Sequence, residues 1–228
     1  MKTSPNTEIL FNKIAKKYDL VNNVLSFGLH HIWNAQLLKL LKPKGILLDL
    51  CSGTGKIAFK FLKQNPKNRA ILVDFSEEML NQAFLKGKSF SSRISLIKQD
   101  VHDLPFPDSS FSFISLAYGF RNLSNPDIFL RETHRILKPG GQFGILELTN
   151  PKKWRCLHSR YLKTGTKIMG YLTGQKEAYT HLKDSIHKFP EEQVISSLLK
   201  ANEFHLITHR TFLYGTATVW ISEKINAS

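Results

Sequence analysis

Cysteine is scarce in this chain of 228 residues, which contains only Cys51 and Cys156. Its first residues, MKTSPNTEILF, have no basic region followed by an apolar run, so no secretory signal peptide is expected. Without such a signal, the two cysteines are interpreted as free thiols of a reducing cytoplasm. No cysteine and histidine cluster has the spacing of metal ligands, so no metal site is predicted.

Long apolar runs are also missing, since none approaches the roughly 18 residues that a membrane-spanning helix requires. Acids are few: 18 Asp and Glu stand against 32 Lys and Arg, which gives a net charge of +14. A charge of this size indicates a polyanionic partner or an anionic membrane surface, with a solvated basic face as the alternative. The basic residues concentrate between Pro151 and Lys183, where Glu177 is the single acid.

Hydrophobic periodicity, in contrast, is clear along the chain. The first 42 residues have helical spacing, and apolar strands then alternate with helices. One helix is predicted to begin after Ser76 as N-cap, and another after Asn125 with Pro126 in the first position. The segment LKPGG is predicted to be a turn. The predicted strands of this part are GILLDLC, RAILVDF, RISLIKQD, SFSFISLA and QFGILELT.

The remaining third of the chain differs in pattern. From Trp154 to Lys188 it is mostly helical and basic, and a helix and two strands follow. The segment TFLYGTATVW predicts a hairpin that turns near Tyr214 and Gly215, which makes the last strand antiparallel. The predicted fold class is therefore α/β: a doubly wound, seven-stranded, mostly parallel sheet with an antiparallel last strand. Ligands of such sheets bind at the carboxyl ends of the strands.

The segment LLDLCSGTGKIA places a glycine loop at such an end, and three ligands compete for it. A nucleoside triphosphate loop needs glycine at 50 and a hydroxyl residue at 57, where Leu50 and Ile57 stand. A dinucleotide loop fits Gly53, Gly55 and Ala58, with an acid at the end of the second strand. A pyrophosphate, however, would lie beside the carboxylate that ends the first strand and would be repelled by it.

S-adenosylmethionine explains that acid, because its sulfonium and ammonium groups are positive. Asp49 would attract these groups, and glycines at 53 and 55 would let the backbone approach the ligand. Asp74 at the end of the second strand is predicted to accept hydrogen bonds from the ribose. Asp100 at the end of the third is predicted to accept one from the adenine amino group, with the Val101 amide beside the ring. The alternative is that these acids merely form turns at strand ends.

Several motifs together resemble a known family. LLDLCSGTG, LVDFSEEML, QDVHDLPFPDSSFSFI and RILKPGG are similar to class I S-adenosylmethionine-dependent methyltransferases. FNKIAKKYDLVNNVLSFGLHHIW, YGFRNLSNP, LELTNP and EAYTHLKDSIHKFP resemble the C-methyltransferases of menaquinone and ubiquinone biosynthesis. The resemblance runs from about Phe11 to Trp220. Cys51 stands where the general loop has glycine, Lys56 where the family often has an acid, and Ala117 where it often has serine.

The resemblance implies a single methyltransferase domain over residues 1–228. Within it, residues 1–44 form an N-terminal helical cap and 45–150 the S-adenosylmethionine-binding core. Residues 151–190 form a helical substrate lid, and 191–228 form a C-terminal helix and strands. The cofactor-binding residues expected from the motifs and strand ends are Asp49, Gly53, Thr54, Gly55, Asp74, Phe75, Asp100, Val101 and Ala117.

The resemblance also implies methylation of a ring carbon on a polyprenylated hydroquinone, without a metal. An adjacent hydroxyl must first lose its proton, and the enzyme must align both partners and exclude water. Arg121 could stabilise the phenolate, with Asn122 beside it, while Tyr179 and His181 could bond to quinol oxygens or relay a proton. Tyr18 and Asp19 lie on a helix that could fold over the donor. Each of these residues also has a purely structural interpretation.

Other partners and functions stay open at this point. Demethylmenaquinol is the favoured acceptor, and the methoxy-benzoquinol of ubiquinone synthesis is an alternative. Methylation of RNA or of another small molecule competes, although no Asn-Pro-Pro-aromatic motif follows the fourth strand and nucleic acid is disfavoured. A non-catalytic binding module is a further alternative. The basic insert predicts peripheral contact with an anionic membrane by a cytoplasmic protein, and the sequence does not decide between a monomer and a homodimer.

Overall fold

The computed structural model describes residues 5–151 and 154–225. Buried apolar residues concentrate in the central strands of its sheet, as expected for a sheet that is covered on both faces. The strands, in chain order, are β1 (Ile46–Leu50), β2 (Arg69–Asp74), β3 (Ile94–Lys98), β4 (Phe111–Ala117), β5 (Leu137–Leu148), β6 (Phe204–Phe212) and β7 (Ala217–Lys224).

The helices follow the predicted 3.6-residue spacing. They are α1 (Pro5–Leu25), α2 (Leu29–Leu41), α3 (Lys56–Leu62), α4 (Glu77–Lys86), α5 (Pro126–Ile136), α6 (Arg155–Thr173), α7 (Lys176–Lys188) and α8 (Glu192–Ala201). Short 3₁₀ turns cover Lys88–Arg93, Phe120–Asn122 and Leu213–Gly215.

The strands form one sheet in the order β3-β2-β1-β4-β5-β7-β6. Strands β1 to β5 are parallel, and β7 runs antiparallel to both β5 and β6. This topology confirms the predicted mostly parallel sheet with an antiparallel last strand. The strand order reverses between β1 and β4, so their carboxyl ends border the crevice where a ligand is expected.

Local sequence signals predicted several element ends correctly. The Ser76 side chain accepts a hydrogen bond from the Met79 amide at 3.2 Å, and the Asn125 side chain accepts one from the Ile128 amide at 3.1 Å. The predicted hairpin also turns where expected, because Tyr214 and Gly215 adopt φ of 53° and 99°. Capping and turn chemistry act over three or four residues, which is why they could be recognised in the sequence.

The prediction of a separate turn at LKPGG is wrong. These residues belong to β5, which begins at Leu137. Leu137 pairs with Phe111 and Gln142 with Phe113, so the strand bulges outward between the two pairs before pairing resumes. Gly140 has φ of 68°, which glycine adopts without strain. The Pro-Gly-Gly signal therefore marks a bulge within a strand rather than a turn that precedes the strand.

Two apolar clusters cover the two faces of the sheet. One contains Phe129 and Leu130 of α5 with Ile195 and Leu199 of α8. The other contains residues of α2 and α3, among them Trp33. The cap, defined as α1 and α2, thus belongs in part to the core, and α1 also packs on α4, α6 and α7. This packing places α1 and α2 above the carboxyl ends of the central strands.

Candidate active site

A cavity of about 250 Å³ lies beside the carboxyl ends of β1 and β4. Its floor is the glycine loop, and α1, α2 and α6 contribute the facing walls. Most of the wall is apolar, with a few polar groups from the strand ends, which is typical of a small-molecule site. The apolar lining includes Leu25, Trp33, Ile57, Leu148, Leu162 and Ile186.

Asp49 provides a carboxylate at the cavity wall. The side chain is only 1% exposed, and its Oδ1 accepts a hydrogen bond from the Ser115 hydroxyl at 2.7 Å. Among the described residues, Oδ2 is buried without a hydrogen-bond partner. Burial raises the pKa of Asp49 to about 7, although the Ser115 hydrogen bond opposes the shift. A buried carboxylate oxygen without a partner fits a cationic ligand group such as a sulfonium or an ammonium.

The glycine loop is held by Asp74. The Gly53 amide donates to Asp74 Oδ2 at 2.7 Å, and the Ser76 amide donates to Oδ1 at 2.9 Å. Burial raises the pKa of Asp74 to about 6, against these backbone hydrogen bonds. Gly53 and Gly55 adopt φ of 53° and 81°, so both glycines are required by the backbone. Asp74 therefore ties the loop to β2, in addition to the predicted role toward the ribose.

Phe75, Asp100 and Val101, three of the residues predicted to bind the donor, lie outside the lining of the large cavity. Asp100 Oδ1 contacts His102, accepting from its amide at 3.0 Å and approaching its Nδ1 at 2.5 Å. Val101 is buried, and the ring of Phe75 packs edge-on against Phe11 with centroids 5.9 Å apart. The three sites are adjacent in the fold, and their roles toward the donor stay predictions.

Thr54 joins the loop to the cap. Its hydroxyl donates to Asp19 Oδ1 at 2.7 Å, and Asp19 also pairs with Lys86 at 2.6 Å and Lys56 at 3.3 Å. Burial raises the pKa of Asp19, but the hydrogen bonds from Lys86 and Thr54 outweigh it and the net shift is downward. The structure therefore places α1 directly over the glycine loop, in agreement with the suggestion that this helix could fold over the donor.

Arg121 lines the large cavity, but its charge is balanced by a residue to which the sequence analysis gave no role. Its guanidinium donates to Glu147 Oε1 and to the Tyr118 carbonyl, and its amide donates to Glu147 Oε2 at 3.1 Å. The side chains of Arg121 and Glu147 are 4% and 0% exposed. The available signal was the acid inside the apolar strand QFGILELT, because a buried acid needs a partner.

Asn122, Tyr179 and His181 are brought together, but around a second cavity of about 30 Å³. His181 Nε2 lies 3.0 Å from Asn122 Oδ1, and burial lowers the pKa of His181, with Arg121 adding to the effect. Burial also raises the pKa of Tyr179. Arg121 and Tyr18 line both cavities, so they form part of the wall between them.

Ala117 is the last residue of β4 and Tyr118 follows it, and both line the large cavity. Tyr118 adopts φ of 61°, an uncommon backbone conformation for a large side chain, and its hydroxyl donates to Asn34 Oδ1 at 2.8 Å. Burial raises the pKa of Tyr118 well above its usual value. Asn34 of α2 was missed, because a single Asn inside a helix carries no signal for its long-range partner.

The profile of the ubiE/COQ5 methyltransferase family matches residues 2–224 of the chain. The chain belongs to this family. It is similar to the demethylmenaquinone methyltransferase of Chlamydia trachomatis serovar D, with 42% identity over 96% of this chain and 97% of that protein. It is also 40% identical to the demethylmenaquinone methyltransferase of Chlamydia caviae, over 97% of each chain.

Solved structures of S-adenosylmethionine-dependent methyltransferases share the fold. One from Thermotoga maritima aligns with a TM-score of 0.70 and 18% identity, and the alignment covers 94% of this chain and 98% of that one. Another from Aquifex aeolicus aligns with a TM-score of 0.60 and 19% identity, and the alignment covers 84% of this chain and 89% of that one. The ubiE/COQ5 member described here is therefore a class I methyltransferase in fold, a C-methyltransferase by family, and uses S-adenosylmethionine as methyl donor.

In residues 5–151 and 154–225, no group of three or more His, Cys, Asp or Glu side chains is arranged to hold a metal ion. Over the same part of the chain, no helix combines the length and the apolar character needed to cross a lipid bilayer.

Proposed function

We propose that this ubiE/COQ5 member methylates a ring carbon of a polyprenylated hydroquinone, with demethylmenaquinol as the preferred acceptor. The observation that carries the proposal is the large apolar cavity, whose walls reach from the glycine loop to exposed Phe27 and Leu213. Such a cavity suits an aromatic ring attached to an apolar tail. The relatives named demethylmenaquinone methyltransferase support naphthoquinol as the ring.

The protein's contribution to the reaction is alignment, electrostatics and exclusion of water. S-adenosylmethionine supplies an electrophilic methyl group when it is bound. Asp49, whose Oδ2 has no partner among the described residues, holds the cationic part of the donor at the end of β1. The Asp19–Thr54 hydrogen bond keeps α1 over the loop, so the cap separates the reacting groups from bulk water.

At the acceptor, Arg121 is the candidate partner of the hydroxyl that loses its proton. Because the Glu147 carboxylate neutralises the guanidinium, the Arg121–Glu147 pair can donate a hydrogen bond to the acceptor oxygen while adding little net charge to the cavity. Tyr18, which is half-buried in the wall between the two cavities, can orient the ring. His181 and Asn122 line the second cavity on the far side of this wall, so a proton passing between His181 and the acceptor would have to cross the wall at Arg121 and Tyr18.

A donor-labelling assay tests the acceptor. The protein would be incubated with methyl-labelled S-adenosylmethionine and, separately, with demethylmenaquinol, a demethylated methoxy-benzoquinol and total RNA. We expect label in the naphthoquinol, at the ring carbon, and a slower or absent reaction with the benzoquinol. Label in RNA alone would disprove the proposal. An RNA pyrimidine is disfavoured as acceptor because burial and nearby carboxylates raise the pKa of the Cys51 thiol, which would have to act as a thiolate.

Donor affinity is expected to depend on pH through Asp49. Its pKa of about 7 in the free protein means that the carboxylate becomes neutral as the pH falls below 7. A neutral Asp49 attracts a cation less, so the Kd for S-adenosylmethionine should rise by up to about tenfold per pH unit below 7. Isothermal titration between pH 5.5 and 8 measures this dependence.

Asp49→Asn is the control for that titration. This variant should bind the donor weakly at pH 8 and lose the dependence centred near 7, keeping only a contribution from Asp74 near 6. A wild-type Kd that stays constant from pH 8 to 5.5 would show that Asp49 does not face the donor's positive charge.

We further propose that the exposed face of α6 contacts an anionic membrane and brings the cavity mouth to a membrane-dissolved acceptor. Leu157, Ile168 and Tyr171 are 63%, 52% and 79% exposed, and they recur at helical spacing along one side. Exposed Arg160, Lys163 and Lys167 flank them, whereas Leu162 and Met169 face inward. Apolar side chains framed by cations are typical of helices that lie at a lipid surface.

Liposome flotation tests this surface. We expect the protein to float with vesicles that contain anionic lipid and to stay in solution with neutral ones. Charge reversal at positions 160, 163 and 167 should abolish flotation and slow the reaction with long-tailed quinols, while a quinol with a short tail should react as before. The membrane role is wrong if the protein ignores anionic vesicles and charge reversal leaves the long-tailed reaction intact.

A further inference from the structure

Lys56 carries an ammonium group at the edge of the large cavity. It directly follows Gly55 and begins α3, and it is among the residues that line the cavity. Its Nζ lies 3.0 Å from His30 Nε2 and 3.3 Å from Asp19 Oδ1. An ammonium has three protons to donate, and these two acceptors use two of them. The third is available to a ligand oxygen.

His30 is arranged to hold this ammonium as a neutral acceptor. The Ser26 hydroxyl donates to the Asn22 carbonyl at 2.6 Å, so its oxygen must accept the bond from His30 Nδ1, also at 2.6 Å. The proton of the neutral imidazole is therefore on Nδ1, and Nε2 is free to accept from Lys56. Burial, together with Lys56, lowers the pKa of His30 to about 4, in agreement with this tautomer.

The charge of Lys56 is not balanced by its neighbours. Asp19 is the carboxylate next to it, but Asp19 also pairs with Lys86 at the shorter distance of 2.6 Å. Two ammonium groups thus share one carboxylate. Burial lowers the pKa of Lys56, and the Asp19 carboxylate opposes this shift. Arg121, the other Lys or Arg side chain in the described cavity wall, is neutralised by buried Glu147. Lys56 is therefore where the cavity presents positive charge to an anion.

We propose that Lys56, oriented by His30, binds the carboxylate of the methyl donor and so selects a donor with an intact amino-acid end. S-adenosylmethionine carries one anionic group, its carboxylate, on the same carbon as its ammonium. Asp49 and the loop residues Gly53 and Thr54 line the cavity together with Lys56. An amino acid held by Asp49 through its ammonium can therefore place its carboxylate toward Lys56. Because the proposal concerns the donor, it does not depend on the identity of the acceptor.

Titration of two donors against variants of this site tests the proposal without any turnover. The Kd is measured for S-adenosylmethionine and for the same molecule without its carboxyl group. The wild type should bind the intact donor at least about tenfold more tightly, as a charge-assisted hydrogen bond provides. Lys56→Met should lose this preference and bind both with similar Kd. Lys56→Arg should keep most of it, and His30→Leu should lower it partially.

Lys60→Met is the matched control, because it removes a positive charge from the same helix α3, one turn further on, that does not line the cavity. It should leave the preference unchanged, which separates a direct contact from the general field of the protein. Thermal unfolding of each variant shows that the fold is retained. The proposal is overturned if Lys56→Met keeps the wild-type preference. It is equally overturned if this variant keeps the wild-type donor affinity and only slows turnover, since Lys56 would then act on the acceptor.

Discussion

Replacing Glu147 by alanine is expected to destabilise the protein by about 3–5 kcal/mol. Glu147 is the last residue but one of β5 and has no exposed surface, and it accepts hydrogen bonds from the guanidinium and the amide of Arg121 and from the Leu148 amide. Without it, Arg121 would be a buried cation with 4% of its side chain exposed and no balancing carboxylate. Removing one partner of a buried ion pair costs more stability than replacing both partners, because the remaining charge stays buried without a counter-charge.

Urea unfolding at pH 7.5 measures this effect. The double variant Arg121→Met, Glu147→Leu is the informative control, because two apolar side chains of similar volume should restore most of the lost stability. This double variant should be inactive, because it lacks the Arg121 guanidinium. Glu147→Gln should fall between the wild type and the alanine variant, as it keeps an acceptor but not the charge. A cost below about 1 kcal/mol for Glu147→Ala would mean that Arg121 reaches water or another carboxylate.

Gly119→Ala is expected to have the second large effect, lowering both donor affinity and turnover. Gly119 has φ of −102°, which alanine tolerates, but an added Cβ would lie 2.5 Å from Cys51 Cβ and 3.0 Å from its Sγ. Relief of this overlap requires the ends of β1 and β4 to move apart. Overpacking of this kind costs about 1–3 kcal/mol. Because both strand ends line the donor cavity, a shift of about 1 Å can lower turnover on the order of 100-fold.

The double variant Cys51→Gly, Gly119→Ala tests the cause. Glycine at 51 removes the Cβ that the new methyl group meets, and it suits the φ of 51° at that position. We therefore expect the double variant to recover donor affinity and most of the stability that Gly119→Ala loses. Isothermal titration with S-adenosylmethionine and thermal unfolding report the two quantities. If Cys51→Gly brings no recovery, the effect of Gly119→Ala arises elsewhere.

The sequence by itself determined the fold class and the identity of the methyl donor. Alternating apolar strands and helices required a parallel sheet, and strand-end acids with a glycine loop indicated S-adenosylmethionine. These signals are local: a strand, a cap or a loop is specified by residues within a few positions of each other. The bulge in β5 shows the limit of such signals, because whether Gly140 ends a strand depends on pairing with β4.

Only the tertiary structure decided which side chains share a site. It placed Arg121 against Glu147, 26 positions away, and set His181 beside Asn122 in a second cavity. It also joined His30 to Lys56 above the glycine loop. The physical reason is that a buried charge must find its partner wherever the fold brings one, and that partner has no fixed sequence spacing. The motifs therefore identified the donor and predicted its binding residues, while the packing determined which charges lie together around the predicted site.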